Sequence, residues 1–133
     1  MSEIDATNLP ERPNPDGLAA FAERAGDAGT VTMLNLLAFD GDAGRARYEE
    51  YSVAVAPLLE RVGGRIVYAA EAAPPLLGEG RWDAVALVEY PTRQAFLDLV
   101  SLPEYQAIAH LRTEALTAGE LHPLDTLAVA FDR

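Results

Sequence analysis

The sequence contains no cysteine and no lysine, so arginine supplies all of its basic charge apart from two histidines. The missing cysteine excludes disulfides, thiolate metal sites and cysteine nucleophiles. The missing lysine excludes lysine Schiff bases and the P-loop lysine. Serine occurs only at Ser2, Ser52 and Ser101, none of them in a nucleophile elbow, and the lone Gly78-Glu79-Gly80 is typical of a turn. Hydrolase and dinucleotide-binding functions are therefore disfavoured.

Long apolar runs are also missing, since none approaches the roughly 20 residues that a membrane-spanning helix needs. Residues 1–16 are polar and acidic, unlike a secretory signal. We therefore expect a cytoplasmic protein with no membrane partner. The Ala- and Arg-rich, lysine-free composition is typical of a GC-rich, bacterial genome.

The charge is strongly acidic, with 21 Asp and Glu against 10 Arg and a formal net charge of -11. A surface of this sign repels nucleic-acid phosphates and anionic lipid, so nucleic acid is not an expected partner. At 133 residues, half of them hydrophobic, the chain fits one domain with one core. Residues 1–16 carry Pro10, Pro13 and Pro15 among polar residues and predict a flexible N-terminal arm. The domain is expected over residues 17–133, with a leading helix over residues 17–25.

Hydrophobic periodicity predicts the first half of this domain as strand, helix, strand. Val31–Leu37 is a short apolar run typical of a buried strand. A helix capped by Asp42 should follow and end at Gly63-Gly64, with a kink at Pro57. The next strand is expected over Arg65–Glu71.

The second half is predicted as strand, two helical segments and strand. The strand is expected over Trp82–Tyr90, and Thr92 should open the first helical segment. Ser101 and Glu104 match a capping box for the second segment, which Gly119 should end. Leu121–Phe131 should be extended, with its best strand over Thr126–Phe131.

The resulting order is the βαββαβ order of an α+β, ferredoxin-like domain with an antiparallel sheet. The first and third strands are apolar on both faces, whereas one layer of helices covers only one face. A second copy of the same sheet is the simplest cover for the other face. We therefore expect a homodimer that forms a dimeric α/β barrel.

The chain resembles the uncharacterised domain-of-unknown-function family 1330, which belongs to the dimeric α/β-barrel superfamily. The resemblance spans about Val31 to Leu124 and is most specific in its last segment. It rests on Met33-Leu34-Asn35-Leu36-Leu37, Pro57-Leu58-Leu59, Gly63-Gly64-Arg65, Trp82-Asp83 and Ser101-Leu102-Pro103-Glu104-Tyr105-Gln106-Ala107-Ile108 with Arg112. It implies a ferredoxin-like fold and a homodimer with facing sheets, and it implies no reaction.

Asn35 is the most notable polar residue, because a buried amide within an apolar strand must be hydrogen-bonded. Asn35 either faces a pocket, as a candidate ligand-binding and catalytic residue, or pins the strand to its neighbours. Its placement is similar to that of an asparagine in related barrel families, among them cofactor-free monooxygenases and haem-degrading enzymes.

Three aromatic residues and one arginine are further candidates for ligand binding. Tyr48, Tyr51 and Trp82 could wall an apolar pocket between helix and sheet, or could simply be core. Arg112 could hold a ligand carboxylate with two hydrogen bonds, or could pair with Asp or Glu of its own fold. His110 is a candidate catalytic residue, because it is the best proton carrier available. The other interpretation is that it lies on the surface without a role in the site. His110 and Arg112 are two residues apart on one helix and cannot both face one site.

No metal site is predicted, since the acidic residues near Asp40 are too few for calcium and no histidine pair is spaced for zinc. The leading hypothesis is a protein that binds, or acts without a cofactor on, a small apolar or aromatic molecule. The alternative is a non-catalytic dimeric structural or interaction module. Haem degradation is a third hypothesis, resting on Asn35, Trp82 and His110.

Overall fold

The structure, a computed structural model, describes residues 9–127 of the 133-residue chain. These residues form four helices and four strands in a single sheet. In chain order they are α1 (Pro15–Glu23), β1 (Val31–Phe39), α2 (Gly41–Arg61), β2 (Arg65–Glu71), β3 (Ala84–Tyr90), α3 (Arg93–Ser101), α4 (Pro103–Ala115) and β4 (Leu116–Leu124).

The four strands form an antiparallel sheet in the order β2-β3-β1-β4. β1 is central, and its Asn35 lies opposite Ala86 of β3 and Leu121 of β4. Together with the strand and helix order, this topology is that of a ferredoxin-like α+β domain, which confirms the predicted fold class.

One face of the sheet is covered by helices and contains the main core. Residues of β1 alternate between buried and half-buried, so every second side chain points into the helical layer. Val31 and Met33 of β1 are almost fully buried there. The other buried members of this core are Phe21, Leu58, Leu59, Tyr90, Ala95 and Leu99.

The other face of the sheet is not covered by any helix of residues 9–127, and it is apolar along its centre. Leu34 lies opposite Leu87 and Leu36 opposite Val85, so these pairs share the face that alternation turns away from the core. All four side chains are only half-buried in the single chain. Both faces of β1 and β3 are therefore apolar, as the sequence indicates.

Specific contacts begin before the predicted domain boundary at residue 17. α1 begins at Pro15, and the Asn14 side chain caps it by accepting a hydrogen bond from the Gly17 N–H at 3.1 Å. Further back, the Pro10 carbonyl accepts a hydrogen bond from the Gly119 N–H at 3.0 Å. Residues 9–16 thus make specific contacts with the domain, whereas the flexibility of the arm stays a prediction and residues 1–8 lie outside the described part.

The predicted helix signals are right at one position and wrong at two. Thr92 caps α3 as expected, since its hydroxyl accepts from the Ala95 N–H at 3.1 Å. Asp42 lies in the first turn of α2, and Asp40 occupies the capping position before it. Ser101 and Glu104 do not form a capping box.

The capping box fails because both side chains have other partners. The Ser101 hydroxyl donates to the Leu97 carbonyl at 2.7 Å and so belongs to the end of α3. Glu104 pairs with Arg61 of α2 at 3.2 Å. α4 therefore starts after Leu102 without a side-chain cap.

The last strand starts earlier than predicted. α4 ends at Ala115 and β4 begins at Leu116, so Gly119 lies within the strand opposite Leu37 and does not end the helix. Residues 126 and 127 are not in a strand, and residues 128–131 lie outside the described part. α2 continues through Pro57, where the predicted kink stays a prediction.

Candidate functional site

A large cavity lies between the helix-covered face of the sheet and the helices. Its volume is about 1180 Å³. The sheet contributes Met33, Asn35 and Ala86 to its wall, and the remaining lining that matters for its chemistry is Glu11, Tyr48, Tyr51, Trp82, Tyr105 and Arg112. The cavity is thus mostly aromatic and apolar, with a few polar groups at one end.

Arg112 is the central polar residue of this end. α4 brings its guanidinium over β1, and its side chain is 12% exposed. Its Nε and Nη2 donate to the two carboxylate oxygens of Glu11 at 2.8 and 2.7 Å. Nη2 also donates to Asn35 Oδ1 at 3.1 Å, and Nη1 to the Tyr48 hydroxyl at 3.4 Å. The guanidinium is therefore surrounded by four acceptor contacts from three residues.

The charge of Arg112 is fixed by its carboxylate partner. Burial by itself lowers the pKa of Arg112, but the hydrogen bonds and the negative charge of Glu11 outweigh it and raise that pKa above its ordinary value. Arg112 is therefore always protonated, and it requires an anion beside it. Glu11 supplies that anion from the segment before α1.

Asn35 is buried, with only 6% of its surface exposed, and every atom of its amide has a partner. Its Nδ2 donates to the carbonyls of Met33 and Ala86, both at 3.3 Å, and its Oδ1 accepts from Arg112. Asn35 therefore both joins β1 to β3 and faces the cavity. The two interpretations of this residue are compatible.

Three tyrosines form an aromatic wall beside Arg112. The ring of Tyr48 lies 5.4 Å from that of Tyr51, and the Tyr51 hydroxyl lies 2.9 Å from the Tyr105 hydroxyl. The guanidinium of Arg112 sits 6.0 and 5.8 Å from the centres of the Tyr48 and Tyr51 rings, within range of cation–π attraction. Burial raises the pKa values of all three hydroxyls, so they are neutral near pH 7.

The structure brings five of the six predicted site residues to the cavity and separates the sixth. Asn35, Tyr48, Tyr51, Trp82 and Arg112 line it, and Trp82 is half-buried just before β3. His110 is exposed on α4 and does not line it. The two-residue spacing of His110 and Arg112 accounts for this, since only Arg112 turns inward.

Sequence reasoning missed Glu11 as a member of the site. Its segment has no hydrophobic period, and its partner Arg112 is 101 positions away. The available signal was indirect: a buried arginine needs an acidic partner, and the sequence left open which residue provides it.

Residues 9–127 contain neither a candidate metal site nor a candidate membrane span. No group of three or more His, Asp or Glu side chains is placed to hold a metal ion within this range. No helix in the same range is long and apolar enough to cross a membrane.

Comparison with solved structures gives relatives of the same fold. The RPA0582 protein of unknown function from Rhodopseudomonas palustris is 27% identical, with 87% of this chain and 95% of that chain covered and a TM-score of 0.77. A dimeric protein of unknown function and ferredoxin-like fold from Bacteroides fragilis is 13% identical, with 74% and 97% covered and a TM-score of 0.54. A dimeric ferredoxin-like protein of unknown function from Jannaschia is 13% identical, with 74% and 100% covered and a TM-score of 0.61. The last two similarities show the fold alone.

Comparison with protein families confirms the resemblance seen in the sequence. No curated protein matches the chain. Residues 42–121, from the first turn of α2 to the middle of β4, match one family. The matched range contains β2, β3 and Arg112 and begins after β1. The chain belongs to the family described as Domain of unknown function (DUF1330).

Proposed function

We propose that the protein is a homodimer that binds a small apolar or aromatic molecule, without a cofactor, in the cavity between its helices and its sheet. The observation that carries this proposal is the cavity of about 1180 Å³ with Asn35 and Arg112 at one end and aromatic walls around them. Small-molecule sites are typically concave, mostly apolar and equipped with a few placed polar groups. Asn35, Tyr48, Tyr51, Trp82 and Arg112 are the proposed ligand-binding residues.

A catalytic role would rest on Asn35 and Arg112, the polar groups at the cavity. His110 is exposed outside it, so it has no part in the proposed site. Binding is therefore the function that the arrangement supports best.

The homodimer is proposed from the uncovered sheet face. Leu34, Leu36, Val85 and Leu87 form an apolar centre there, and burying such a surface against a second copy is favourable. The Bacteroides fragilis and Jannaschia proteins of the same fold are described as dimeric, which supports this arrangement.

A second candidate is a non-catalytic dimeric module. It is favoured by the closed hydrogen bonding of Arg112 and Asn35, whose polar atoms have partners within the chain. In this case the cavity would have no ligand, and the function would lie in the acidic surface or in a protein partner.

Titration with the neutral fluorescent probe N-phenyl-1-naphthylamine tests the two candidates. We expect its emission to rise on binding to the wild-type protein and the binding to weaken at least tenfold in Ala86→Phe, which fills the cavity from β3. Ala69→Phe fills it from the edge strand β2 and serves as a second variant, should the first fold poorly. Ala107→Phe, on the exposed side of α4, is the matched control and should bind like the wild type.

The outcome separates the candidates directly. Binding that both cavity variants weaken supports the ligand-binding function. No binding, or binding that neither cavity variant changes in a folded protein, contradicts it and favours the structural module. Circular dichroism establishes which variants are folded.

A further inference from the structure

We propose that Arg112 is a carboxylate-binding subsite of the cavity, and that Glu11 fills it as an internal substitute for the carboxylate of a small aromatic or apolar acid. This inference rests on the proposed function and deepens it by naming the class of ligand. Binding would exchange one carboxylate for another, with Glu11 leaving as the acid enters.

The geometry of the pair fits this exchange. Two nitrogens of Arg112 face the two oxygens of Glu11 at 2.8 and 2.7 Å, which is the fork arrangement that guanidinium makes with any carboxylate. The other partners of Arg112 are Asn35 of β1 and Tyr48 of α2, both within the βαββαβ fold. Among the partners of Arg112 within residues 9–127, only the carboxylate of Glu11 comes from the segment that precedes this fold.

The electrostatics require an anion at this place whether or not Glu11 is there. Arg112 is 12% exposed, and a buried guanidinium without a negative partner is strongly unfavourable. Within residues 9–127, Glu11 is the acidic side chain that forms a salt bridge with Arg112. If the segment moves away, a ligand carboxylate restores the lost pairing.

Few other hydrogen bonds join the Glu11 segment to the sheet. The Pro10 carbonyl accepts one hydrogen bond from the Gly119 N–H, and the net contribution of a typical bond of this kind is modest. Residues 12 and 13 are exposed. Glu11 itself is 27% exposed, so water reaches it at the mouth of the cavity. Displacing this segment thus costs little beyond the ion pair that the ligand replaces.

Gly119 is where the fold makes room for Glu11. A Cβ atom added at Gly119 would lie 2.7 Å from Glu11 Cγ and 2.9 Å from Oε2, closer than real contacts allow. The atoms in the way belong to a flexible side chain and can move. Gly119→Ala therefore displaces the Glu11 carboxylate while leaving its charge in the protein.

The rest of the proposed ligand is set by the aromatic wall. The rings of Tyr48 and Tyr51 flank the guanidinium, and apolar Met33 and Ala86 continue the wall along the sheet. A carboxylate on Arg112 would thus place an aromatic or apolar body in the cavity. The probes chosen are 3-phenylpropionate and its neutral analogue 3-phenylpropanamide, which differ at the carboxyl group alone.

Calorimetric titration at pH 7, in a buffer without carboxylates, tests the exchange. We expect Glu11→Ala to bind 3-phenylpropionate at least tenfold more tightly than the wild type, with less than a twofold change for 3-phenylpropanamide. Gly119→Ala should shift affinity for the acid in the same direction. Glu23→Ala removes the same charge from the exposed surface of α1 and should bind both probes like the wild type. Adding Arg112→Gln to Glu11→Ala should abolish the gain.

Each other result has a distinct meaning. Equal gains for the acid and the amide would overturn the inference, since Glu11 would then be a plug and not a substitute for a ligand. A gain that survives Arg112→Gln would overturn it as well. Failure of 3-phenylpropionate to gain in a folded Glu11→Ala protein that still binds N-phenyl-1-naphthylamine overturns the inference and leaves the proposed function in place. Failure of all three probes in all folded variants overturns both.

Discussion

The hydroxyl groups of Tyr51 and Tyr105 lie 2.9 Å apart and join α2 to α4 across the helical layer. Their rings meet edge to face with centroids 6.3 Å apart, so the pair combines a hydrogen bond with aromatic packing. Tyr51 is buried and Tyr105 half-buried, so a hydroxyl that loses this partner is shielded from much of the solvent. This contact holds α2 against α4, the helix that carries Arg112.

Removing one of the two hydroxyls should lower the free energy of unfolding, because the hydroxyl that remains loses its hydrogen-bond partner. We expect Tyr51→Phe and Tyr105→Phe each to lower the free energy of unfolding by about 1 kcal/mol, because each leaves a hydroxyl without a partner. The double variant should lose less than the sum of the two, since no unpaired hydroxyl is left. Urea unfolding of the four proteins measures this. Strictly additive losses would show that the two hydroxyls are not bonded to each other.

Alkaline pH should destabilise the fold through its buried tyrosines. Burial raises the pKa values of Tyr48, Tyr51, Tyr90 and Tyr105 above their ordinary value of 10.0. Stability from a raised pKa is complete below the pKa of the unfolded state and is lost as pH rises toward that of the folded state. We therefore expect the free energy of unfolding to fall above about pH 10.

Absorbance at 295 nm, which reports ionised tyrosine, follows this titration. In the folded protein these four side chains should ionise at higher pH than in the urea-unfolded protein. Their ionisation should occur over the same pH range as the loss of helical circular dichroism. Simultaneous titration in the folded and unfolded states, with the fold intact, would contradict the burial of this cluster.

Gly44 allows α2 to start directly against the junction of α4 and β4. A Cβ atom at this buried position would clash with the backbone carbonyl oxygen of Ala115, which cannot move aside as a side chain could. We expect Gly44→Ala to lower the free energy of unfolding by about 1–3 kcal/mol, as overpacking does elsewhere. Gly26→Ala is the control, since nothing lies within 4 Å of its added Cβ. Equal stabilities of the two variants in urea would refute the close approach.

Strands β1, β2 and β3 and most helices were predictable because their signals are local. Val31–Leu37 is a short apolar run between turn residues, and the apolar spacing after Thr92 is helical, so pattern alone placed both. Gly119 misled because a glycine after a helical stretch usually ends the helix, whereas here it pairs with Leu37 in the sheet. Pairing across the sheet decides that position, and no local pattern contains it.

Most residues of the candidate site were predictable from the sequence, whereas Glu11 and the contacts between the residues were not. Asn35 and Arg112 stood out as polar residues in apolar elements, and the structure joins them by a hydrogen bond of 3.1 Å. Glu11 lies in a proline-containing stretch whose composition predicts an exposed segment. Its role depends on a contact with Arg112, which is 101 positions away in the sequence. Long-range ion pairs of this kind require the fold to be known first.

The final prediction concerns the uncovered sheet face. We expect the wild-type protein to be a dimer in native mass spectrometry and light scattering, and Leu87→Arg to be a monomer, because a dimer would bury its charge without a partner. Leu34→Arg, on the opposite strand of the same pair, is a second variant should the first fold poorly. Val53→Arg adds the same charge at a side chain of α2 that is 77% exposed, and it should stay dimeric. A monomeric wild type would refute the homodimer, and folded dimers of both sheet variants would place its interface on another surface.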